Sequence, residues 1–188
     1  MISILDSGMG GICFYEAMPF ECHLVIDRKN FPYGNKDLLW LKKHFIKLIE
    51  EIKSDTIIVA CNTLSSLIYY YKLTFSKKVV DVIAPTIFYL RKLNIKSLLI
   101  LATKNTIKMD IYGRLLNNEI TYYDASELIF AVEKNDYHEA LNDIIPKLVG
   151  FDAILLGCTH LIKVKNDLRK NIKGMIISQD EIVREYFA

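Results

Sequence analysis

The segment AILLGCTH at residues 153–160 changes abruptly from aliphatic residues to small, polar and reactive ones. A run of four aliphatic residues is typical of a strand buried on both faces of a parallel sheet. The residues that follow would lie beyond the carboxyl end of that strand, where ligands bind in open α/β folds. The segment therefore predicts a site that contains Cys158, Thr159 and His160.

Similar β-branched and aliphatic runs recur along the chain, and longer helical patterns separate them. Apolar residues repeat at helical spacing over 41–52 and over 140–148, where Pro146 predicts a kink. The alternation predicts an α/β fold with mostly parallel sheets flanked by helices. Six runs are predicted to be strands buried on both faces: 2–5, 24–26, 56–60, 79–83, 98–102 and 153–156.

Four of these predicted strands run into small, hydrogen-bonding or nucleophilic residues, at 6–11, 61–63, 103–106 and 157–160. Two of the strand ends resemble each other, because ACNT at 60–63 and GCTH at 157–160 both place a cysteine after an apolar strand. One lies in each half of the chain, which indicates two pseudo-symmetric lobes that face each other across a cleft. We expect residues 1–85, completed by 164–188, to form the first lobe and residues 86–163 the second.

A cysteine between a strand and a helix can be reactive, because the helix dipole and unpaired N–H groups lower the pKa of its thiol. Buried free cysteines are also common, so Cys61 or Cys158 alone has an ordinary structural explanation. Their matching polar contexts favour a shared active site in the interlobe cleft. Cys13 and Cys22 have no such context, and no CxxC pair suggests a metal, so we expect four reduced thiols and no metal site.

The residues around the cysteines leave alternatives open. The glycine-rich loop at 6–11 lacks the Lys-Ser/Thr of a P-loop and the spacing of a dinucleotide site, and its glycines are also typical of a tight turn. Asp6 is a candidate for a helix cap or for a proton carrier. His160 is either structural or a partner of Cys158. A Cys-His hydrolase is the competing chemistry, but it leaves Cys61 and the glycine loop unexplained.

Composition excludes several classes of function. The chain has 188 residues, is 52% hydrophobic and has a net charge of +2, with no basic block suited to a nucleic acid. No apolar run approaches the roughly 20 residues that span a bilayer, and no signal-like segment precedes the glycine loop. We therefore expect a cytoplasmic protein with a small-molecule substrate and no nucleic-acid or membrane partner.

The motifs, taken in order, resemble those of bacterial glutamate racemases over nearly the whole chain. The strongest matches are DSGMGG at 6–11, PYG at 32–34 followed by Lys36, ACNT at 60–63 and LGCTH at 156–160. Weaker matches are VIAP at 82–85, Thr103 with Thr106, and Glu133 at the end of FAVE. The paired cysteine motifs together with the Asp-Ser-Gly loop make the resemblance specific.

The resemblance implies cofactor-independent interconversion of L- and D-glutamate, which would supply D-glutamate for peptidoglycan synthesis. Cys61 would take the α-proton from D-glutamate and Cys158 from L-glutamate. Asp6 would assist Cys61, while His160 and Glu133 would assist Cys158. The substrate contacts that it implies are Ser7, Tyr33, Gly34, Asn62, Thr63, Thr103, Thr106 and Thr159.

The chain also departs from the family pattern. It is shorter than the usual member, and its differences fall at Ala84, Ala102, Ala125 with Ser126, and Leu161 with Ile162. These positions are expected to support the pocket and not to perform chemistry. Two alternatives stay open: a racemase of the same superfamily that acts on aspartate or another amino acid, and a degenerate member with a binding or regulatory role. The resemblance is compatible with a homodimer.

Overall fold

Two parallel four-stranded sheets, one in each half of the chain, organise the computed structural model, which describes residues 1–187. The first sheet has the order β2-β1-β3-β4 and the second the order β6-β5-β7-β8, so the two share one topology. The α/β architecture with two lobes is therefore confirmed. The strands are β1 (Ile2–Asp6), β2 (His23–Ile26), β3 (Thr56–Val59), β4 (Lys78–Asp81), β5 (Ser97–Ala102), β6 (Glu119–Asp124), β7 (Ala153–Leu156) and β8 (Met175–Ser178).

Ten α-helices connect and flank these strands within the described residues. They are α1 (Met9–Glu16), α2 (Leu38–Glu51), α3 (Asn62–Tyr70), α4 (Ile83–Leu90), α5 (Lys104–Met109), α6 (Ile111–Leu115), α7 (Ser126–Glu133), α8 (His138–Ile144), α9 (Lys165–Asn171) and α10 (Gln179–Tyr186). Short 3-10 helices cover Arg28–Asn30, Tyr33–Asn35, Ile145–Lys147 and Thr159–Val164.

The register of the central strands brings the predicted polar segments together. In the first sheet Leu5 pairs with Val59, so Asp6 and Cys61 follow neighbouring strands at the same edge. In the second sheet Leu101 pairs with Leu156, so Thr103 and Cys158 are placed in the same way. Parallel pairing thus concentrates the polar residues at the carboxyl ends of both sheets.

The edge strands differ from the prediction. We expected strands at 24–26 and 79–83 to be buried on both faces, but β2 and β4 are the edges of the first sheet and are only partly buried. β4 also ends earlier than predicted, at Asp81, because the Asp81 carboxylate accepts hydrogen bonds from the N–H groups of Ile83 and Ala84 and so starts α4. Strands β6 and β8 were not predicted.

The helix predictions were largely correct. The pattern over 41–52 corresponds to α2, where Asp37 caps the first turn by accepting a 2.8 Å hydrogen bond from the Trp40 N–H. The pattern over 140–148 is divided, because α8 ends at Ile144 and a 3-10 helix follows at Ile145–Lys147. Pro146 lies in that 3-10 helix, so the proline ends the α-helix and does not kink it.

The segment 164–188, expected to complete the first lobe, divides between the two. β8 pairs with β7 in the second sheet, and Leu168 and Ile172 belong to the same hydrophobic core as Leu99 of β5. α10, by contrast, packs against α4 of the first half. The residues through Ser178 therefore build the second sheet, and α10 connects it to the first lobe.

Candidate active site

A small cavity lies where the carboxyl ends of the two sheets meet. Its volume is about 20 Å³, enough for about one water molecule. Cys61 from the first half and Cys158 from the second both line it, with exposed fractions of 7% and 9%. The other lining residues are Ser7, Phe31, Pro32, Tyr33, Gly34, Asn62, Thr63, Thr103, Ile129, Gly157, Thr159 and His160.

All four cysteines of the chain are free thiols. Cys13 and Cys22 are partly buried and do not line the cavity. Among the described residues no group of three or more His, Cys, Asp or Glu side chains could hold a metal ion. Within residues 1–187 no helix is long and apolar enough to cross a bilayer.

Cys61 is the N-cap residue of α3, and the N–H groups of Leu64 and Thr63 point to its sulfur. Burial nevertheless raises the pKa of the Cys61 thiol well above its usual range, and the nearby Asp6 and Cys158 raise it further. The expectation that the helix N-terminus lowers this pKa was wrong for Cys61, because the loss of solvation outweighs the two N–H groups. Cys61 therefore rests as a neutral thiol.

Asp6 is fully buried at the end of β1, the strand that pairs with β3 before Cys61. One carboxylate oxygen accepts hydrogen bonds from the N–H groups of Ser7 and Gly8, at 2.7 and 3.1 Å. The other accepts a 3.1 Å bond from the Thr159 hydroxyl of the opposite lobe. Burial raises the pKa of Asp6, and the charge of His160 and these hydrogen bonds offset only part of that effect.

A chain of polar side chains supports Cys158. Its sulfur lies 3.6 Å from Nδ1 of His160, whose Nε2 lies 2.8 Å from a carboxylate oxygen of Glu133. Burial alone would lower the pKa of His160, but the hydrogen bonds to Cys158 and Glu133 outweigh it and raise the pKa to about 10. His160 is thus positively charged near neutral pH and lies directly beside Cys158.

Glu133 joins the two lobes at this point. The carboxylate oxygen that contacts His160 also accepts a 2.6 Å bond from the Met9 N–H, at the start of α1. Its other oxygen lies 3.3 Å from the exposed side chain of Arg28. Burial opposes ionisation, but the hydrogen bonds from His160 and Met9 lower the pKa of Glu133. A carboxylate of the second lobe is therefore held by groups of the first.

The glycines of the 6–11 loop allow this close approach of the lobes. A Cβ atom at Gly8 would lie 2.6 Å from the carboxylate of Glu133 and 2.9 Å from His160 Nε2. A Cβ atom at Gly10 would overlap the Thr159 hydroxyl and the backbone nitrogen of His160. The glycines thus do more than form a turn, because the Cys158 segment packs directly on the backbone of the loop.

Three buried threonine hydroxyls form a triangle, and two of these residues, Thr63 and Thr103, also line the cavity. The Thr63 hydroxyl lies 3.0 Å from that of Thr103 and 3.3 Å from that of Thr106, and the last two are 3.1 Å apart. Thr63 belongs to α3 and the other two to the start of α5, so the triangle also joins the lobes. Rotatable hydroxyls in such a cluster can all donate to a carboxylate.

Tyr33, Gly34 and Asn62 line the cavity as expected, but two of their side chains have other partners. The Tyr33 hydroxyl donates a 2.5 Å hydrogen bond to Asp27, away from the cavity. The Asn62 amide is bonded to Gln179 and Tyr112. Gly34 packs against the Thr103 side chain with no room for a Cβ atom. Tyr33 therefore contributes its ring and backbone to the cavity wall.

Several residues that shape the site were not predicted. Asn105 donates 2.8 Å hydrogen bonds to the carbonyls of Tyr33 and Lys36 and so fixes the first-lobe loop to α5. His44 lies 2.5 Å from the Asp27 oxygen that accepts the Tyr33 hydroxyl. Asn105 lies within the predicted strand-end segment 103–106, so its position could have identified it as a residue of the site. His44 lies in an ordinary amphipathic helix, and its spacing gave no such signal.

The residues that depart from the family pattern lie outside the cavity. Ala102, Ala125 and Leu161 are buried in the core, whereas Ala84 is exposed on α4. None of the departing positions lines the cavity formed by the described residues. The polar groups around Cys61 and Cys158 are therefore built without them.

Known proteins agree with this architecture. No protein-family model matches the chain. Glutamate racemase from Borreliella burgdorferi is 30% identical, with 97% of this chain and 76% of that protein covered. The structure of glutamate racemase from Campylobacter jejuni subsp. jejuni superposes with a TM-score of 0.80 at 28% identity, covering 99% of this chain and 84% of that one. Glutamate racemase from Francisella tularensis, solved with D-glutamate, has a TM-score of 0.82 at 21% identity, with coverages of 99% and 78%.

The two lobes, the cavity between them and these similarities define the chain as an isomerase of the amino-acid racemase class. Within that class, it belongs to the glutamate racemase family. The resemblance first observed in the motifs is confirmed.

The raised pKa of His160 predicts a specific pH dependence of stability. Its charged form is stabilised by folding, so its contribution is complete below a pH of about 6.5 and is lost as the pH rises through about 10. We expect the free energy of unfolding of the wild type to exceed that of His160→Gln by more than about 1 kcal/mol at pH 6.5, and the difference to shrink towards pH 10. Chemical denaturation at both pH values measures it.

The same replacement at the exposed His23 is the control, and its difference from the wild type should not change with pH in this way. Parallel pH curves for the wild type and His160→Gln would contradict the charged His160.

Proposed function

We propose that the chain interconverts L- and D-glutamate by a two-thiol mechanism without a cofactor. The observation that carries the proposal is that Cys61 and Cys158, which follow equivalent strands of the two sheets, line one small cavity. Removal of an α-proton from one face and delivery to the other requires an acid and a base on opposite sides of the α-carbon. Two thiols from facing lobes meet that requirement.

In the L-to-D direction, the Cys158 thiolate takes the α-proton of L-glutamate, and the neutral Cys61 thiol donates its proton to the opposite face. The positive charge of His160 beside the Cys158 sulfur stabilises the thiolate that starts this direction. The raised pKa of Cys61 keeps its proton available for donation. In the D-to-L direction, Cys61 is the base and Cys158 the acid.

The intermediate of this reaction carries negative charge that spreads from the α-carbon into the α-carboxylate. Hydroxyl and N–H donors that already point into a closed cavity stabilise such charge without reorganisation. Ser7 lies beside the thiols in the cavity wall, and the hydroxyls of Thr63 and Thr103, which contact Thr106, supply a second group of donors. Two donor regions suit a substrate with two carboxylates.

The carboxyl groups near the thiols would restore the protonation states of the thiols after each turnover. The raised pKa of Asp6 suits a group that accepts a proton and returns it to Cys61. Glu133 holds the charge and orientation of His160, and His160 in turn exchanges a proton with Cys158. Asp6 and the His160–Glu133 pair therefore assist one thiol each.

The cavity must open to admit a substrate, because about 20 Å³ cannot hold an amino acid. A second cavity of about 360 Å³ lies beside it and shares Phe31, Pro32, Gly34, Thr103 and Ile129 with it. Movement of these shared residues joins the two spaces. We propose that the substrate enters from this side and that closure removes water from the reacting atoms.

The biological role that we propose is the supply of D-glutamate for peptidoglycan synthesis; the relatives that the chain resembles are glutamate racemases. The proposed substrate contacts are Ser7, Tyr33, Gly34, Asn62, Thr63, Thr103, Thr106 and Thr159; all of them line the cavity except Thr106, which contacts Thr63 and Thr103.

The first functional prediction concerns substrate and cofactor. The purified protein should racemise glutamate in the presence of a metal chelator and without pyridoxal phosphate. It should turn over glutamate faster than aspartate, because Tyr33, Gly34 and the threonines match the motifs of glutamate racemases. Polarimetry or chiral chromatography with both enantiomers measures this. Dependence on a metal ion or on pyridoxal phosphate would exclude the mechanism. Faster turnover of aspartate would assign the chain to another branch of the superfamily.

The second functional prediction concerns the thiols. Cys61→Ser and Cys158→Ser should each lower the rate of racemisation by at least about 10³-fold, because an alcohol is a far weaker acid than a thiol near neutral pH. Cys13→Ser, which changes a thiol outside the cavity, should keep wild-type activity. Substantial racemisation by either active-site variant, after wild-type contamination is excluded, would refute the two-thiol mechanism.

A further inference from the structure

A ring of three buried side chains lies behind Asn62, the residue that follows Cys61. Tyr112 donates a 2.7 Å hydrogen bond from its hydroxyl to Oδ1 of Asn62. Nδ2 of Asn62 donates to Oε1 of Gln179, and Nε2 of Gln179 donates a 2.9 Å bond back to the Tyr112 hydroxyl. The three residues come from α3, α6 and α10, and each is no more than 3% exposed.

One backbone carbonyl fixes the direction of every bond in this ring. Nε2 of Gln179 faces the carbonyl oxygen of Val82 at 3.4 Å and the Thr86 hydroxyl at 3.0 Å. The Thr86 hydroxyl already donates its proton to the same carbonyl, so it can only accept from Gln179. The nitrogen of Gln179 must therefore lie on this side, and its oxygen must face Asn62.

The orientation of Asn62 follows from that of Gln179. Because Oε1 of Gln179 is an acceptor, the Asn62 atom beside it must be the nitrogen, and Oδ1 then receives the Tyr112 hydroxyl. The reversed amide would set two oxygens against each other in a buried site, which is strongly unfavourable. Only one of the two Nδ2 hydrogens has a protein acceptor among the described residues, while Asn62 itself lines the catalytic cavity.

We infer that Gln179, Tyr112 and Thr86 are positioning residues that hold Asn62 with its N–H, and not its carbonyl oxygen, available to the cavity. An amide nitrogen attracts a carboxylate, whereas an amide oxygen repels it, so the ring makes Asn62 a donor for an anionic substrate. This inference rests on the proposed racemisation of an amino acid with carboxylates. It also explains why both the oxygen and the nitrogen of the Asn62 amide have buried hydrogen-bond partners in the ring.

The kinetic consequence is a loss of substrate affinity when the ring is broken. In Tyr112→Phe, Oδ1 of Asn62 loses its buried donor, and the amide is held only through its bond to Gln179, so it can move out of its position. The carboxylate is present in both the ground state and the transition state, so KM for glutamate should rise by about 10-fold while kcat changes by less than about 3-fold. Racemisation kinetics in both directions measure this split.

Tyr122→Phe is the matched control. The Tyr122 hydroxyl donates a 2.9 Å bond to Asp110 and accepts a 3.1 Å bond from the N–H of Gly113 in α6, the helix that carries Tyr112. The control removes the same atom beside the same helix, but it leaves the ring intact. Its KM should stay within about 2-fold of the wild-type value. An equal rise in KM for both variants would overturn the inference, because general weakening of α6 would then explain it.

A second measurement does not depend on activity. In protein labelled with 15N at asparagine, the side-chain amide of Asn62, assigned by its absence in Asn62→Asp, should give a sharp pair of proton signals in the wild type and in Tyr122→Phe. The pair should shift and broaden in Tyr112→Phe and in Gln179→Met. Unchanged Asn62 signals in Tyr112→Phe would overturn the inference. A wild type that does not racemise glutamate would instead overturn the proposed function, and the NMR result would still test the ring.

Discussion

The close contact between the glycine loop of the first lobe and the Cys158 segment of the second determines how the rest of the site is built. With no side chain at Gly8 or Gly10, the backbone of the loop packs on Thr159 and His160. That contact allows Thr159 to reach Asp6 and the Met9 N–H to reach Glu133. Each cysteine is consequently supported by groups from both lobes, and opening of the cleft would disturb both supports at once.

The two halves share a topology, but their electrostatics differ. On the first side, Asp6 and burial keep Cys61 protonated, and no cation contacts its sulfur among the contacts described. On the second side, a charged His160 lies beside Cys158 and is itself held by Glu133. In the proposed two-thiol mechanism, a reversible reaction between mirror-image substrates would therefore use chemically unequal acids and bases.

The sequence predicted the parts of this structure that depend on local pattern. Buried aliphatic runs identified β1, β3, β5 and β7, and the residues after those strands formed the cavity because parallel strands end at the same edge. The edge strands β6 and β8 and the partners of Asn62 were not predictable in this way. Tyr112 and Gln179 look like ordinary core and helix residues, and only the packing of α6 on α3 and of both α6 and α10 on α4 brings them together. The lowered acidity of Cys61 was also missed, because it depends on how deeply the thiol is buried.

Isotope exchange tests the central claim that two thiols act on opposite faces of one substrate. In deuterated water, at early times and from either enantiomer, the account predicts that the product carries solvent deuterium at its α-carbon while the remaining substrate stays largely protiated. The product is labelled because the donating thiol has equilibrated with solvent. Mass spectrometry after chiral separation measures both species. A product that mainly retains the original proton, or substrate and product labelled equally from the start, would contradict the account.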